Sequence, residues 1–324
     1  MQLKFKIIVD GADITSLVQD RLLSLTVEDK QGLESDSFRL SLDNREGKIA
    51  LPATQVEVQL HAGIDSLNYL GRFTVDTVEE SHPPRTLIIG GSSADLTGSL
   101  KSHKQRQWDN TTLEMVLDEI ATDNQLELAM HVNFSAYTIE HLDQTAESDL
   151  ALLNRLAADY HALFKIADGK LIFTLMNVSQ RLSGQTLETV TIIQSDCINW
   201  RYSHAERNQI TEVKTKWRNP AISNENWESV GAAGVTRILS QSFRTQDDAI
   251  NAANEALRQA QTPQETLSLS VMQTSRMPMI KAETPLQTSG FSPAIDGLWV
   301  VNSASHQVSN SGYQVNLEAK RLSS

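Results

Sequence analysis

Apolar residues recur with a period of two through the first hundred residues, a pattern that a pleated strand can bury on one face and a helix cannot. Leu3, Phe5, Ile7 and Val9 alternate with Lys4, Lys6 and Ile8, and Asp10-Gly11 then supplies a turn. Phe38, Leu40 and Leu42 share one face of "SFRLSLDN", and Val56, Val58 and Leu60 share one face of "TQVEVQLHAG". "GRFTVDTVEE" and "RTLIIGG" follow, separated by "SHPPR", whose two prolines forbid a regular strand there. Short alternating strands at this spacing predict an all-β barrel or sandwich.

The period then changes to that of a helix. In "NTTLEMVLDEIA", Thr111 and Glu114 stand at capping-box spacing, and Leu113, Val116, Leu117 and Ile120 form one apolar stripe. "ESDLALLNRLAADYHAL" reads as a second helix with acids in its first turn and Leu150, Leu153, Ala157 and Tyr160 on one face. In "LFKIADGKLIFTLM", Asp168-Gly169 lies between two alternating runs, a strong hairpin signal. Residues from about 101 to 180 therefore form a small α+β unit.

Beyond "SQRLSGQT" the strand pattern returns in "TVTII", "QITEVKTKW", "TRILSQSF", "ETLSLSVMQ" and a C-terminal hairpin. One Ala-rich helix interrupts it, entered at Thr245, with Asp247 and Asp248 near its positive end, and stopped before Pro263. No repeat is visible by residue identity, although both flanking regions are β-rich and of similar size.

Composition removes several function classes. With 40 acidic against 28 basic residues the net charge is −12, which opposes binding of nucleic acid by general electrostatics. The apolar runs fall far short of the roughly 18 residues of a membrane span, and the N-terminus lacks the unbroken apolar segment of a signal peptide. A single cysteine, Cys197, permits no intrachain disulfide.

The search for chemistry is negative. There is no CxxC, HExxH, GxxxxGK or GxGxxG, and no histidine stands at metal-ligand spacing with another His or Cys. Ser92 follows Gly90 but precedes Ala94, so a nucleophile elbow is incomplete, and a glycine-rich turn leaving a strand is the better reading. Glu79-Glu80 and Asp247-Asp248 are adjacent pairs, which diverge on a strand or a helix and do not converge on one bond. Trp200, Trp217, Trp227 and Trp299 are expected mostly to pack. No catalytic residue, cofactor or metal is expected.

The C-terminal hairpin holds one oddity, His306. If "SNSG" (309–312) is the loop, Val308 faces Tyr313, His306 faces Val315 and Ala304 faces Leu317, with Gly312 at a positive φ. His306 then belongs to an apolar face and is expected to be packed and hydrogen-bonded.

The run Gly297-Leu298-Trp299-Val300-Val301, with His306, Gly312-Tyr313 and Leu317, resembles the closing hairpin of the late control gene D family, the hubs of contractile phage tails, related to the hub part of VgrG spike proteins. "LDNREGKIALPATQVEVQL", "GRFTVDTVEESHPPRTLIIGGSSADL" and "SDLALLNRLAADYHALFKIADGKLIF" agree with it. The resemblance implies a mainly β fold with an α+β insertion. Two tail-tube-like β-barrel domains, 1–100 and 185–324 (the second with one inserted helix), flank an α+β domain, 101–184, of two helices and a hairpin.

It also implies a non-enzymatic hub that joins a six-fold tube to a three-fold spike as a homotrimeric, pseudo-six-fold ring, with Trp299, His306, Gly312 and Tyr313 as its structural hairpin motif. The expected partners are the spike protein, the tail tube and other baseplate proteins. The expected location is the tail baseplate of a virion assembled in the host cytoplasm. The chain stops at Ser324, short of an OB-fold and needle, so the spike is expected to be a separate protein. The insert is expected at the ring's periphery. Two rivals stay open: a tail-associated cell-wall hydrolase, and a carbohydrate-binding or adhesin module.

Overall fold

The computed structural model describes residues 2–32, 35–93, 99–135, 137–160, 162–175, 188–205, 210–218, 225–243, 245–261 and 264–322. Ala94, Pro263 and the "SQRLSGQT" segment lie outside them, as does the side chain of Asp248. The described chain opens with β1 (Leu3–Val9), β2 (Ala12–Asp13), a single turn α1 (Thr15–Val18), β3 (Leu22–Lys30), β4 (Ser37–Asp43), β5 (Glu57–Ile64), β6 (Asn68–Ser81) and β7 (Thr86–Ser92). The next stretch holds β8 (His103–Thr112), α2 (Leu113–Asp123), β9 (Glu127–Met130), β10 (Thr138–Ser148), α3 (Asp149–Asp159), β11 (Ala162–Ala167) and β12 (Lys170–Leu175). It continues through β13 (Val190–Ile193), β14 (Cys197–Ala205), β15 (Glu212–Arg218), β16 (Glu225–Gly231), β17 (Thr236–Phe243) and α4 (Gln246–Gln261). The chain closes with β18 (Gln264–Met272), β19 (Pro285–Ser289), β20 (Gly297–Ser309) and β21 (Gly312–Arg321). The protein is mostly β, and it divides into two compact units, Met1–Arg201 with Ser268–Ser324, and Tyr202–Leu267.

In the first unit most of the expected alternation becomes burial, although in β1 only Ile7 is buried and Leu3, Phe5 and Val9 are half-buried. Ile7, Phe38, Leu40, Leu42, Val58, Leu60, Phe73 and Val75 are all buried, and the Phe38 and Phe73 rings lie 5.3 Å apart. Val56 precedes its strand and is only half-buried. The Asp10-Gly11 turn pairs Val9 with Ala12. The glycines of "LIIGG" do not form the expected turn: Gly90 and Gly91 lie inside β7. A Cβ on Gly91 would stand 2.2 Å from the Thr74 carbonyl oxygen and 2.6 Å from the Phe38 ring, so the strand needs glycine for close approach.

The large sheet runs β14-β18-β21-β20-β3-β4-β7-β6-β5-β1-β2, with β19 joining β20 and β13 joining β19. The same strand plan therefore occurs twice. The first half follows β3-β4-β7-β6-β5-β1 and the second follows β14-β18-β21-β20-β19-β13. The halves differ at the far end, where β1 meets β5 antiparallel and β13 meets β19 parallel. They join where β20 pairs antiparallel with β3, from Ser303↔Lys30 to Ser309↔Ser24.

The segment between them builds its own core. Leu113, Val116, Leu117 and Ile120 are fully buried, as the stripe requires, each contributing about 1.5–3 kcal/mol of transfer free energy. The helix cap is Thr112, whose hydroxyl accepts from the Met115 amide at 3.3 Å; Thr111 instead pairs with Ile139 in the ladder, so the cap moves by one residue and, with Met115 rather than Glu114 three residues on, the expected capping box does not form. In α3 the inward face is Leu152, Leu153, Leu156 and Ala157, rotated from the expected one, and Leu150 and Tyr160 are only half-buried. Asp168-Gly169 forms a two-residue turn with Ala167 paired to Lys170. The sequence reading missed the long antiparallel ribbon of β8 and β10. Its Trp108 is buried and donates from Nε1 to Glu119 at 2.7 Å.

The second unit, described by itself, is a three-stranded sheet, β16-β15-β17, with α4 packed on it through Ala249 and Ala253, and with Val213 and Thr215 buried. The Ala249 amide donates to the Thr245 carbonyl, the expected entry to α4, and Asp247 lies in its first turn.

Candidate functional site

The four residues of the hairpin motif share the β20–β21 ladder, and their expected register holds: Val308↔Tyr313, His306↔Val315 and Ala304↔Leu317. The loop is tighter than expected, because Ser309 and Gly312 already pair and only Asn310 and Ser311 lie between them. Gly312 has φ +120, as the turn requires.

His306 is 2% exposed. Its Nε2 lies 2.9 Å from the Ile280 carbonyl oxygen, which can only accept, so Nε2 carries the proton. Nδ1 then accepts from the Tyr313 hydroxyl at 3.0 Å. Burial pushes the imidazole down to about 4, against a partial upward pull from the Ile280 bond and Asp29. A neutral, doubly satisfied ring between two strands is a packing element without a free lone pair for a metal or a substrate. Trp299 packs separately: it is fully buried, donates to the Ile295 carbonyl at 2.8 Å, and carries the Arg321 guanidinium over its ring at 4.3 Å.

Two ionic clusters escaped the sequence reading. In the first, Lys165 on β11 donates to Asp29 on β3 at 2.8 Å and to the Lys30 carbonyl at 2.6 Å, and pairs with Asp36 at 2.6 Å. Burial raises both carboxyls. Lys165 and Lys281 outweigh it at Asp29, which ends below its usual range, whereas Asp36, also facing the charge of Asp29, is pushed up to about 6. In the second, fully buried Asp149 accepts from Lys104 at 2.7 Å, Asn124 at 2.8 Å and Gln144 at 3.0 Å, and also from Arg106. Burial alone would raise its carboxyl, but these donors hold it below the usual range. Both clusters join residues far apart in sequence, so no local motif announces them.

The near misses do not assemble into chemistry. Ser92 ends β7 with its hydroxyl donating to Asp76 at 3.2 Å. Glu80 accepts from Asn44 and Arg85, while its neighbour Glu79 stands 3.8 Å from Arg39. Among the described residues, no three His, Cys, Asp or Glu side chains gather as a metal site. The tryptophans divide: Trp299 packs, but Trp227 is 54% and Trp200 41% exposed, against expectation. Trp217 donates to Glu228 at 3.0 Å. No described helix is long and apolar enough to cross a membrane.

The fold is similar to that of a prophage MuSo2 tail protein from Shewanella oneidensis, with a TM-score of 0.77 at 14% identity, over 99% of this chain and 98% of that one. No family model matches the sequence. Whole-chain comparison is more specific. The chain is 29% identical, over an alignment of 363 residues, to the probable baseplate hub protein of Escherichia phage P2, covering 98% of this chain and 93% of that protein. The probable baseplate hub protein of Escherichia phage 186 is 28% identical, over 97% of this chain and 92% of its own length. The resemblance to contractile-tail hubs read from the hairpin therefore extends along the molecule. These relatives are structural hub proteins and not enzymes.

Proposed function

We infer that the protein is the hub of a contractile injection-tail baseplate, in which three copies form a pseudo-six-fold ring between a six-fold tube and a three-fold spike. The observation that carries this reading is its likeness, along nearly its whole length, to two baseplate hub proteins. The doubled strand plan supports it, since two related β regions per chain supply six units from three chains. In this reading residues 1–100 and 185–324 form tube-like barrels, the α+β segment 101–184 sits at the periphery, and Trp299, His306, Gly312 and Tyr313 fix the closing hairpin. The partners are the spike, the tube and other baseplate proteins, in a virion assembled in the host cytoplasm. A net charge of −12 suits a channel wall to which DNA does not adhere.

Imaging of assembled tails by electron cryomicroscopy tests it. Three copies in one ring at the junction of tube and spike are expected. A ring of two or four, or a location outside the baseplate, would overturn the proposal. Purified protein is expected to leave peptidoglycan intact on a zymogram.

A further inference from the structure

The doubled plan is matched residue by residue where it matters for assembly. β6 begins its core stretch with Gly71, Phe73 and Val75, and the ladder to β7 then slips by one residue, at Asp76. β20 begins with Gly297, Trp299 and Val301, and the ladder to β21 slips at Asn302. Both glycines have positive φ, and both aromatics are buried. β3 and β14 correspond in the same way, each following a single 3-10 turn, Gln19–Arg21 and Gln194–Asp196.

The corresponding strands nevertheless have different neighbours. The far half of β20, from Ser303, pairs with β21 on one side and with β3 on the other. The far half of β6, Asp76–Ser81, pairs with β7 on one side, and among the described residues no strand pairs with its other side. β14, the counterpart of β3, stands at the end of the strand order with β18 as its one neighbour among the described strands. Each chain thus contains one made junction, β20 to β3, and both halves of the same junction unmade. Exposure agrees. Asp76, Thr77, Glu79, Glu80 and Ser81 are exposed, and seven of the nine β14 residues are exposed, including Ile198 at 52% and Trp200 at 41%. An open edge carrying large apolar side chains is one that natural sheets cover.

We propose that β14 of one copy pairs antiparallel with the far half of β6 in a second copy, in the register that β3 takes on β20. Transferring that register places Glu79 opposite Ser203, Glu80 opposite Tyr202 and Ser81 opposite Arg201. Glu79 then lies diagonal to Arg201, and Glu80 diagonal to His204, on shared faces of the ladder. His204 already stands 3.4 Å from Glu265 and Glu80 is held by Arg85, so Glu79 with Arg201 is the ion pair that the junction would add. Arg201 makes no ion pair among the described residues, and Glu79 has only a long contact to Arg39. The contact is head-to-tail, so it propagates until the ring closes, and every closed ring contains an even number of repeats. The number of copies rests on the hub reading; the identity of the two edges does not.

Disulfide trapping in assembled tails tests the pairing. In a Cys197→Ser background, Glu79→Cys with Ser203→Cys places two thiols on directly opposed residues, and oxidation is expected to link copies into species ending at the trimer. Glu79→Cys alone is expected to give no trimer, and Glu79→Cys with His204→Cys is expected to link poorly, because the shifted residue faces away. A hub ring visible in the tails without the linked species, or equal linking in the shifted control, would overturn the edge pairing while leaving the hub reading intact. Tails that lack the protein at the baseplate would instead overturn the hub reading. As a second arm without cysteines, Arg201→Glu is expected to abolish tail assembly and Glu79→Arg with Arg201→Glu to restore it. Failure of the exchange to restore assembly, with both chains folded, counts against the register.

Discussion

Glu80 and His306 occupy the same place in the two copies of one strand plan and have opposite fates. The carboxylate sits on an exposed strand end, held by Asn44 and Arg85. The imidazole is buried and held by Ile280 and Tyr313. Neither side chain's chemistry decides this. β20 lies between two strands at that point and β6, among the described residues, has one. At this one place in the plan, the strand with a single described neighbour carries the charge and the strand enclosed on both sides carries the neutral ring.

The comparison can be broken first at its aromatic anchors. Phe73→Ala and Trp299→Ala are each expected to cost about 3–5 kcal/mol, measured by urea unfolding, because the two rings fill equivalent cores. A large disparity between them would show that the cores are not equivalent. Next in size is the histidine. His306→Ala is expected to cost about 1–3 kcal/mol by leaving the Tyr313 hydroxyl and the Ile280 carbonyl without their partner, whereas Glu80→Ala is expected to move the unfolding midpoint far less.

The same pair gives a pH test. With its folded value near 4 and an ordinary value of 6.5, His306 resists protonation in the folded state, so the unfolded chain takes up that proton first. Its stabilising contribution is complete above about pH 6.5 and is lost as pH falls toward 4. Asp36, raised from 3.8 to about 6, acts in the opposite sense and adds stability as pH falls from 6 to 4. Asp36→Asn is therefore expected to steepen the loss of stability on acidification, and His306→Gln to flatten it, read from thermal midpoints between pH 4 and 7. The smallest contrast lies at the paired glycines. A Cβ at Gly71 meets the buried Phe73 ring at 2.8 Å, whereas at Gly297 it meets the movable end of Arg321 at 2.9 Å. Gly71→Ala should cost the more of the two, by about 1 kcal/mol on top of the shared backbone strain.

What was legible in the sequence follows from what is local. The register of the closing hairpin could be read from Val308, His306 and Ala304, because alternation and a turn glycine fix it within a few residues. The α2 stripe was equally readable. The cap of that helix and the inward face of α3 were not, since adjacent threonines and a run of leucines leave the phase open. The duplication was invisible by identity, because what it preserves is a positive-φ glycine, an aromatic and a ladder slip, which different residues satisfy. Lys165 with Asp29 and Asp36, and Trp200 on an open edge, depend on neighbours that no window of sequence contains.

The pairing of β20 with β3 also sets a timetable. Residues 24–30 of β3 lie near the beginning of the chain, and their partners, residues 303–309, near its end. At a synthesis rate of about 5–20 residues per second, the interval between them is on the order of tens of seconds. Throughout that interval the first repeat is translated, with its helices and hairpins free to form, yet one edge of its sheet faces solvent with no strand to close it. Nascent chains stalled before the final hairpin would therefore be the species that a cell's chaperones engage. The hairpin of β20 and β21 is the element that ends the hazard.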